Sequence, residues 1–328
     1  MIQVLKNVRS IALRDFNIND AQSELSRLSK ITDSSSALIY PTILSDRLEI
    51  LVIPPSGVIF RRSVPAARKE ILERTIEQFR SNLLDPSSND YLKEAKQLYD
   101  WVIRPIESEL QANQIETLVF VMDGSLRVTP VAAFHDGKQF LVEKYALANI
   151  PSLRLTNLEQ RDRSNNRILA MGLSEAVQGF SALPAVETEI ATISSQILPG
   201  NSFLNRPFSV ENLKTQRSQE NYAIVHLATH AQFFLDRDNS FIQFYNERLK
   251  IGEIFKLKLD SPRIEMLTLS ACQTALGNNM GISGAAIESG AKSVLASLWS
   301  VSDAGTAPLM MSFYSYWKEA SSKALALQ

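Results

Sequence analysis

Two residues capable of covalent catalysis come just after apolar runs in the second half of the chain. Cys272 comes after IEMLTLS, and it is the only cysteine among 328 residues. His230 comes directly after YAIVHLAT. A thiol with a pKa of about 8.5 provides little thiolate at neutral pH, so a nucleophilic cysteine needs a base beside it that later protonates the leaving group. These two residue types predict nucleophilic catalysis if the fold brings them together.

The two apolar runs have the length and composition of buried strands. In an open α/β sheet, ligands bind outside the carboxyl ends of the strands, and neighbouring strands lie about 5 Å apart. If these strands are neighbours, His230 and Cys272 come within reach of each other. A helix that starts just after Cys272 would lower the pKa of the thiol and offer backbone N–H groups to an oxyanion.

The residues alone also allow a simpler interpretation, because a lone cysteine is most often a small buried apolar residue. His226 lies four positions before His230, a spacing that suggests a metal site when it occurs on a helix. On a strand, such positions lie about 13 Å apart, too far for one metal ion. We therefore predict that His226 is a hydrogen-bonded core residue, that His135 is a turn residue, and that there is no metal site.

Five residues beyond these strands are candidates for a substrate pocket. Asp236 and Asp238 follow the histidine strand and could bind a basic side chain, although acidic residues in such places commonly belong to solvated loops. Trp299, Ser300 and Asp303 lie at the end of the run KSVLASLW and just after it. Trp299 could form a pocket wall or part of the core, since large aromatic side chains serve both roles.

Composition excludes several classes of protein. The 34 Lys and Arg residues balance the 35 Asp and Glu residues, so no overall field favours nucleic acid or a membrane surface. One cysteine excludes an internal disulfide framework and a Cys-rich zinc site, and it favours a reducing compartment. No segment has the pattern of a signal peptide or the roughly 20 apolar residues of a membrane helix. We expect a cytoplasmic protein without a cofactor.

The chain divides by its patterns into a short segment and two α/β lobes. Residues 1–34 are polar, residues 35–157 form a first lobe, and residues 158–328 form a second lobe. The boundary falls at the polar stretch NLEQRDRSNNR. Strands alternate with helices in the second lobe, which predicts a mostly parallel sheet with helices on both faces.

Three blocks of the second lobe stand out, and they are VHLATHAQF, LTLSACQTALG and GAKSVLASLWSVSDAGT. These blocks resemble the CHAT domain, a family of caspase-like proteins related to caspases and separases. Similar blocks are LVFVMDGSLRVTPVAAFHDGKQFLVEKYALANIPSL, MGLSEAVQGFSALPAVETEI and LYDWVIRPIESEL, and all occur in the family's order. The resemblance covers residues 35–328. It implies a caspase-like three-layer α/β sandwich with a mostly parallel sheet, preceded by a related lobe without catalytic residues.

The resemblance also implies a reaction, which is peptide-bond hydrolysis by a cysteine-type endopeptidase of the clan CD type. Cys272 would be the nucleophile that forms a thioester acyl-enzyme, and His230 would be the general base and acid. The backbone N–H groups of Cys272 and Ala231 would hold the oxyanion. Ala231 stands where caspases usually have glycine, a change that a backbone donor tolerates. The resemblance implies neither a cofactor nor a metal ion.

A protein or peptide substrate and a regulatory or defence pathway are further implications of the resemblance. Trp299, Ser300 and Asp303 would border the substrate groove. Many CHAT domains follow tetratricopeptide repeats, and the sequence shows none, so we expect a separate regulatory partner or tetratricopeptide-repeat protein. The loop GNNMGISG after Cys272 is shorter than in the family. This motivates the alternative of a catalytically silent CHAT module that binds partners. A third class, an unrelated α/β hydrolase of small molecules, fits the matching blocks poorly.

Overall fold

The computed structural model describes residues 18–85, 87–150, 166–232, 239–271, 281–297 and 303–328. Its contacts divide the chain into two units. The first unit comprises Met1–Leu158 with Glu319–Gln328, and the second unit comprises Glu159–Lys318. Mixed helices and strands with parallel pairing in both units confirm the predicted α/β class. The division into domains stays a prediction, because contacts alone do not show that either unit folds by itself.

The first unit is built on a five-stranded sheet. Its strands are β1 (Ser36–Ile43), β2 (Leu48–Ile53), β3 (Phe60–Val64), β4 (Thr117–Phe120) and β5 (Ala146–Asn149). The helices of this unit that precede β5 in the chain are α1 (Ile18–Thr32), α2 (Lys69–Asn82), α3 (Tyr91–Val102) and α4 (Glu107–Ala112). The strand order is β3-β2-β1-β4-β5, with β1, β2 and β3 antiparallel and β1, β4 and β5 parallel.

Both faces of the first sheet are covered. Leu118 of β4 and Leu98 of α3 belong to the apolar core on one face. Leu38 of β1 and Leu25 of α1 belong to the core on the other face. Because both faces are buried, the run TLVFVM is apolar throughout and does not alternate. The polar segment before residue 35 therefore contributes an amphipathic helix to this unit.

The second unit contains a parallel sheet of order β13-β12-β8-β6-β7 and a small antiparallel sheet of order β11-β10-β9. Its strands are β6 (Ile168–Gly172), β7 (Gly200–Leu204), β8 (Ile224–Ala228), β9 (Ala231–Gln232), β10 (Phe241–Gln243), β11 (Arg248–Lys250), β12 (Met266–Ser270) and β13 (Val294–Ala296). Its helices are α5 (Ala185–Thr192), α6 (Val210–Gln219), α7 (Gly281–Glu288) and α8 (Asp303–Glu319).

The parallel sheet of the second unit is the middle of three layers. Leu227 of β8 packs in one apolar core with Leu213 of α6 and Ala286 of α7. His226, the residue before Leu227, points to the other face of the sheet and contacts Tyr314 of α8. Alternate residues of a strand point to opposite faces, so helices α6 and α7 cover one face and α8 covers the other. This arrangement is the three-layer sandwich that the sequence predicts.

The spacing between β6 and β8 depends on a glycine. A Cβ atom on Gly172 would lie 2.5 Å from the carbonyl oxygen of Ala228 and 2.7 Å from a methyl group of Val186. No larger residue fits there without a shift of the backbone, so Gly172 allows β6 and α5 to approach the end of β8. The last helix, α9 (Lys323–Leu327), contacts β5 of the first unit.

Candidate active site

Strands β8 and β12 are hydrogen-bonded neighbours that run in the same direction. The two strands must be neighbours if His230 and Cys272 are to form a dyad, and they are. Their register pairs Ala228 with Ser270. His230 is the second residue after Ala228, and Cys272 is the second residue after Ser270. Cys272 lies outside the described residues, so the contact between His230 and Cys272 stays a prediction.

The ring of His230 is held on two sides by one loop. Its Nε2 atom lies 2.8 Å from the carbonyl oxygen of Ser181. Its ring stacks on Phe180, with 4.7 Å between centroids and 22° between planes. A carbonyl oxygen only accepts hydrogen bonds, so Nε2 carries the proton of the neutral ring and Nδ1 keeps a lone pair. The contact therefore assigns Nδ1 as the basic atom of His230.

The loop that holds His230 is shaped by a tight turn. Val177 and Phe180 form an isolated antiparallel bridge, and the N–H of Phe180 donates to the carbonyl oxygen of Val177 at 2.8 Å. The two residues between them, Gln178 and Gly179, have φ angles of 47° and 87°. Two left-handed residues in succession are typical of a two-residue hairpin turn. This turn brings Phe180 and Ser181 to the histidine.

The backbone of Ala231 is oriented by the pairing of β9 with β10. Ala231 lies opposite Ile242 in the pair β9–β10, and the N–H of Gln243 donates to the carbonyl oxygen of His230 at 2.9 Å. This bond makes Ala231 and Ile242 a non-hydrogen-bonded pair of the antiparallel ladder, in which the N–H groups of both residues point outward. The N–H of Ala231 is therefore directed away from β10.

An arginine and two aromatic rings extend the surroundings of His230. The guanidinium carbon of Arg248 lies 4.5 Å from the ring centroid of Phe241 and 5.7 Å from that of Phe180. Its Nε atom donates to the side-chain oxygen of Gln243 at 3.1 Å. The sequence patterns did not indicate a functional role for Arg248, Phe180 or Ser181. The Gln-Gly pair before Phe180 is a turn signal, but nothing local shows that the turn faces a histidine.

The remaining pocket candidates are placed only in part. Asp236, Asp238, Trp299 and Ser300 lie outside the described residues. Asp303 is the first residue of α8. The pocket that these residues would form stays a prediction.

The other two histidines have the structural roles that the sequence predicts. His226 is fully buried, and its Nδ1 atom lies 3.1 Å from the hydroxyl oxygen of Tyr314. His135 accepts a hydrogen bond from the N–H of Gly137 at 3.1 Å and packs edge-on against Phe140, within a turn. Across the described ranges, no three His, Cys, Asp or Glu residues are grouped as metal ligands would be. No helix within those ranges is both long and apolar enough to cross a membrane.

Comparison with known proteins identifies the family. A parallel sheet between helices, with a histidine after one central strand, is the arrangement of a caspase-like fold. The family model of the CHAT domain matches residues 92–328. The chain belongs to the CHAT domain family, and the resemblance read from its sequence motifs is confirmed.

A solved structure with a similar fold is that of the Saccharomyces cerevisiae separase–securin complex. The TM-score is 0.51 at 12% sequence identity, over 99% of this chain. The match covers 31% of the other chain, so this chain spans about a third of its length. At this identity the similarity concerns the fold alone. Comparison with curated proteins finds no match.

Proposed function

We propose that this protein is a cysteine-type endopeptidase of the clan CD type that cleaves protein substrates with a His230–Cys272 dyad. The observation that carries the proposal is the register of β8 and β12. It places the residues that precede His230 and Cys272 side by side at the carboxyl edge of a parallel sheet, where α/β folds bind their ligands. Membership of the CHAT family supports the same assignment.

The proposed reaction begins with the transfer of the Cys272 proton to Nδ1 of His230. The thiolate attacks the carbonyl carbon of the scissile bond, and the N–H groups of Ala231 and Cys272 bind the oxyanion. As the tetrahedral intermediate collapses, Nδ1 returns its proton to the leaving amine, and a thioester remains. Water, deprotonated by Nδ1, then attacks the thioester. The second intermediate releases the carboxylic acid and the Cys272 thiolate, which takes up the proton held on Nδ1.

The Ser181 carbonyl has a definite part in this scheme. It accepts the Nε2 proton of His230 at 2.8 Å, which keeps the ring in the tautomer whose Nδ1 atom is basic. When Nδ1 takes a second proton, the ring becomes a cation and the same bond becomes stronger because its donor is charged. The carbonyl thus has the orienting role that a carboxylate has in a Ser-His-Asp triad.

The substrate and its setting extend the proposal beyond the dyad. Trp299, Ser300 and Asp303 would border the substrate groove, and Asp236 would face a basic substrate side chain. A regulatory partner or tetratricopeptide-repeat protein would control the enzyme. The single cysteine supports a reducing compartment, and we propose the cytoplasm.

The solitary thiol provides a direct test. The intact protein is alkylated with iodoacetamide from pH 5 to pH 9 and followed by whole-protein mass, alongside His230→Ala. We expect alkylation at pH 6 at least about tenfold faster than for an ordinary thiol, because a paired cysteine ionises well below pH 8. His230→Ala should lose this advantage, and the control His135→Ala should keep it.

A peptide library then separates an endopeptidase from a merely reactive thiol. The protein should cleave a defined subset of the library, and Cys272→Ala should cleave none. An ordinary alkylation profile that His230→Ala does not change, together with an uncleaved library, would contradict the proposal. That result would instead favour a silent module that binds partners.

A further inference from the structure

Four polar side chains form a buried network in the second unit. Glu189 of α5, His226 of β8, Thr268 of β12 and Tyr314 of α8 are each at most 1% exposed. The hydroxyl oxygen of Tyr314 lies 3.1 Å from Nδ1 of His226 and 2.6 Å from Oγ1 of Thr268. Oε1 of Glu189 lies 2.9 Å from Nε2 of His226, an ion-pair distance, although the ring N–H is not aligned with it as in a hydrogen bond. We call these four residues the buried polar network.

One arrangement of hydrogen-bond donors and acceptors satisfies most of the network. Burial raises the pKa of Tyr314, so its hydroxyl keeps its proton and can donate it. If Thr268 donates to Tyr314 and Tyr314 donates to Nδ1 of His226, the remaining ring proton lies on Nε2, facing the Glu189 carboxylate. One consistent chain of contacts therefore joins two strands to two helices on one face of the sheet.

The network is not explained by stability. Replacing both partners of a buried polar contact with apolar groups of the same shape is often nearly neutral or even stabilising, because desolvation opposes the gain from the contact. The opposite face of the same sheet is filled with apolar side chains such as Leu227 and Leu269. A polar arrangement that holds four elements in fixed positions points to a role that apolar packing does not supply.

Each element of the network leads along the chain to a part of the proposed site. Strand β8 ends two residues before His230, and β12 ends two residues before Cys272. Helix α5 follows the loop whose Ser181 carbonyl holds the histidine ring. Helix α8 follows Trp299 and Ser300. The four segments that would form the site therefore extend from four elements that meet in one network.

The link between the network and His230 is the most direct. Helix α5 contacts β8 in the core, where Glu189 meets His226. The loop before α5 contacts the residue just beyond β8, where Ser181 meets His230. If the core contact is lost, α5 can shift against β8, and the loop that precedes it carries that shift to the histidine ring.

We propose that Glu189, His226, Thr268 and Tyr314 are positioning residues that set the geometry of the His230–Cys272 dyad. The proposal rests on the proposed function, because it concerns the same dyad. None of the four touches the substrate. They act through His230, whose ring orientation they maintain, and through the relative placement of β8 and β12.

A pair of tyrosine variants tests the proposal. Tyr314→Phe removes one hydroxyl oxygen from the network. Tyr222→Phe is the matched control, because Tyr222 is also fully buried in the second unit and its hydroxyl accepts a hydrogen bond from the Asn201 side chain at 2.6 Å. Both variants should lower the melting temperature. We expect only Tyr314→Phe to slow the alkylation of Cys272 at pH 6, by about tenfold, because catalytic groups tolerate little misplacement.

A second pair covers the case in which Tyr314→Phe does not fold. Glu189→Gln keeps the shape of the side chain and removes its charge, and Glu94→Gln makes the same change at a buried carboxylate of the first unit. We expect Glu189→Gln to slow alkylation at pH 6 and to shift the pH profile of alkylation toward that of an ordinary thiol. Glu94→Gln should leave the profile unchanged.

The outcomes distinguish the two proposals. A wild-type thiol with an ordinary profile would overturn the dyad and the positioning role together. An activated wild-type thiol whose profile changes equally little in Tyr314→Phe and Tyr222→Phe, or in Glu189→Gln and Glu94→Gln, would overturn the positioning role alone. An activated thiol that loses its activation only when the network is altered would support both.

Discussion

The two units use the carboxyl ends of their parallel strands in different ways. In the first unit, Asp123 follows β4, and its carboxylate accepts a hydrogen bond from the N–H of Ile43, the last residue of β1, at 3.1 Å. In the second unit, His230 follows β8, and its ring bonds to a loop through Nε2 alone among its described contacts. Asp123 thus provides a hydrogen bond to the backbone of its own sheet. His230 keeps its basic Nδ1 atom, which the bond to Ser181 does not use.

Each unit also holds a cluster of polar side chains, and these two clusters lie at different depths. In the first unit, Lys144 joins Glu107, Asp136 and the hydroxyl of Tyr99 at the edge of the fold, where the charged side chains are 12% to 15% exposed. In the second unit, the buried polar network lies beneath the centre of the sheet. An edge cluster fastens a loop to a helix, whereas a central network joins strands to helices. Polar contacts can therefore stabilise the same sheet-and-helix architecture either near its surface or within its core.

The largest effect that we predict concerns the network in the core. His226→Leu leaves the Glu189 carboxylate buried without its partner and should lower the free energy of unfolding by about 4 kcal/mol. Urea unfolding of the variant measures this loss. The double variant His226→Leu with Glu189→Met removes both partners of the contact and should recover part of it. A single variant as stable as the wild type would show that the contact between His226 and Glu189 does not stabilise the fold.

The next largest effect concerns the apolar core of the first unit. Leu118→Ala removes a fully buried side chain of β4 and should lower the free energy of unfolding by about 3 kcal/mol, from lost transfer energy and the cavity left behind. Because Leu118 belongs to the other unit, we expect the pH profile of Cys272 alkylation to stay unchanged. A changed profile would show that the first unit takes part in shaping the site.

The smallest effect concerns the edge cluster and depends on pH. Burial alone would raise the pKa of Asp136, but the N–H groups of Gln139 and Lys138 and the Lys144 ammonium together hold it below its ordinary value. A lowered folded pKa stabilises the protein above the unfolded pKa of about 3.9, and this stabilisation is lost as the pH falls further.

Asp136→Asn should therefore lower the free energy of unfolding by about 1 to 2 kcal/mol at pH 7. The difference from the wild type should shrink below about pH 4, where the unfolded carboxylate takes up its proton. Urea unfolding at pH 7, 4 and 3 measures this trend. A difference that stays constant with pH would show that the carboxylate charge is not involved.

Strands with uninterrupted apolar runs could be predicted from the sequence, whereas β7 and α6 could not. Strand β8 is buried at every position, and its sequence shows this. Strand β7 is half-buried or exposed throughout because it lies at the edge of the sheet. Its residues GNSFL lack the pattern of a strand. Helix α6 has the polar sequence VENLKTQRSQ, which likewise lacks a clear apolar pattern.

By itself, the sequence determined the α/β class, the central strands and the residues capable of chemistry, because hydrophobic periodicity and residue type are local properties. Tertiary structure alone decided that β8 and β12 are neighbours in a register that pairs Ala228 with Ser270. It also decided that the Ser181 carbonyl meets His230 and that Glu189 meets His226. Such contacts join residues far apart in the chain, and no local preference encodes which distant polar groups will satisfy each other when the core closes.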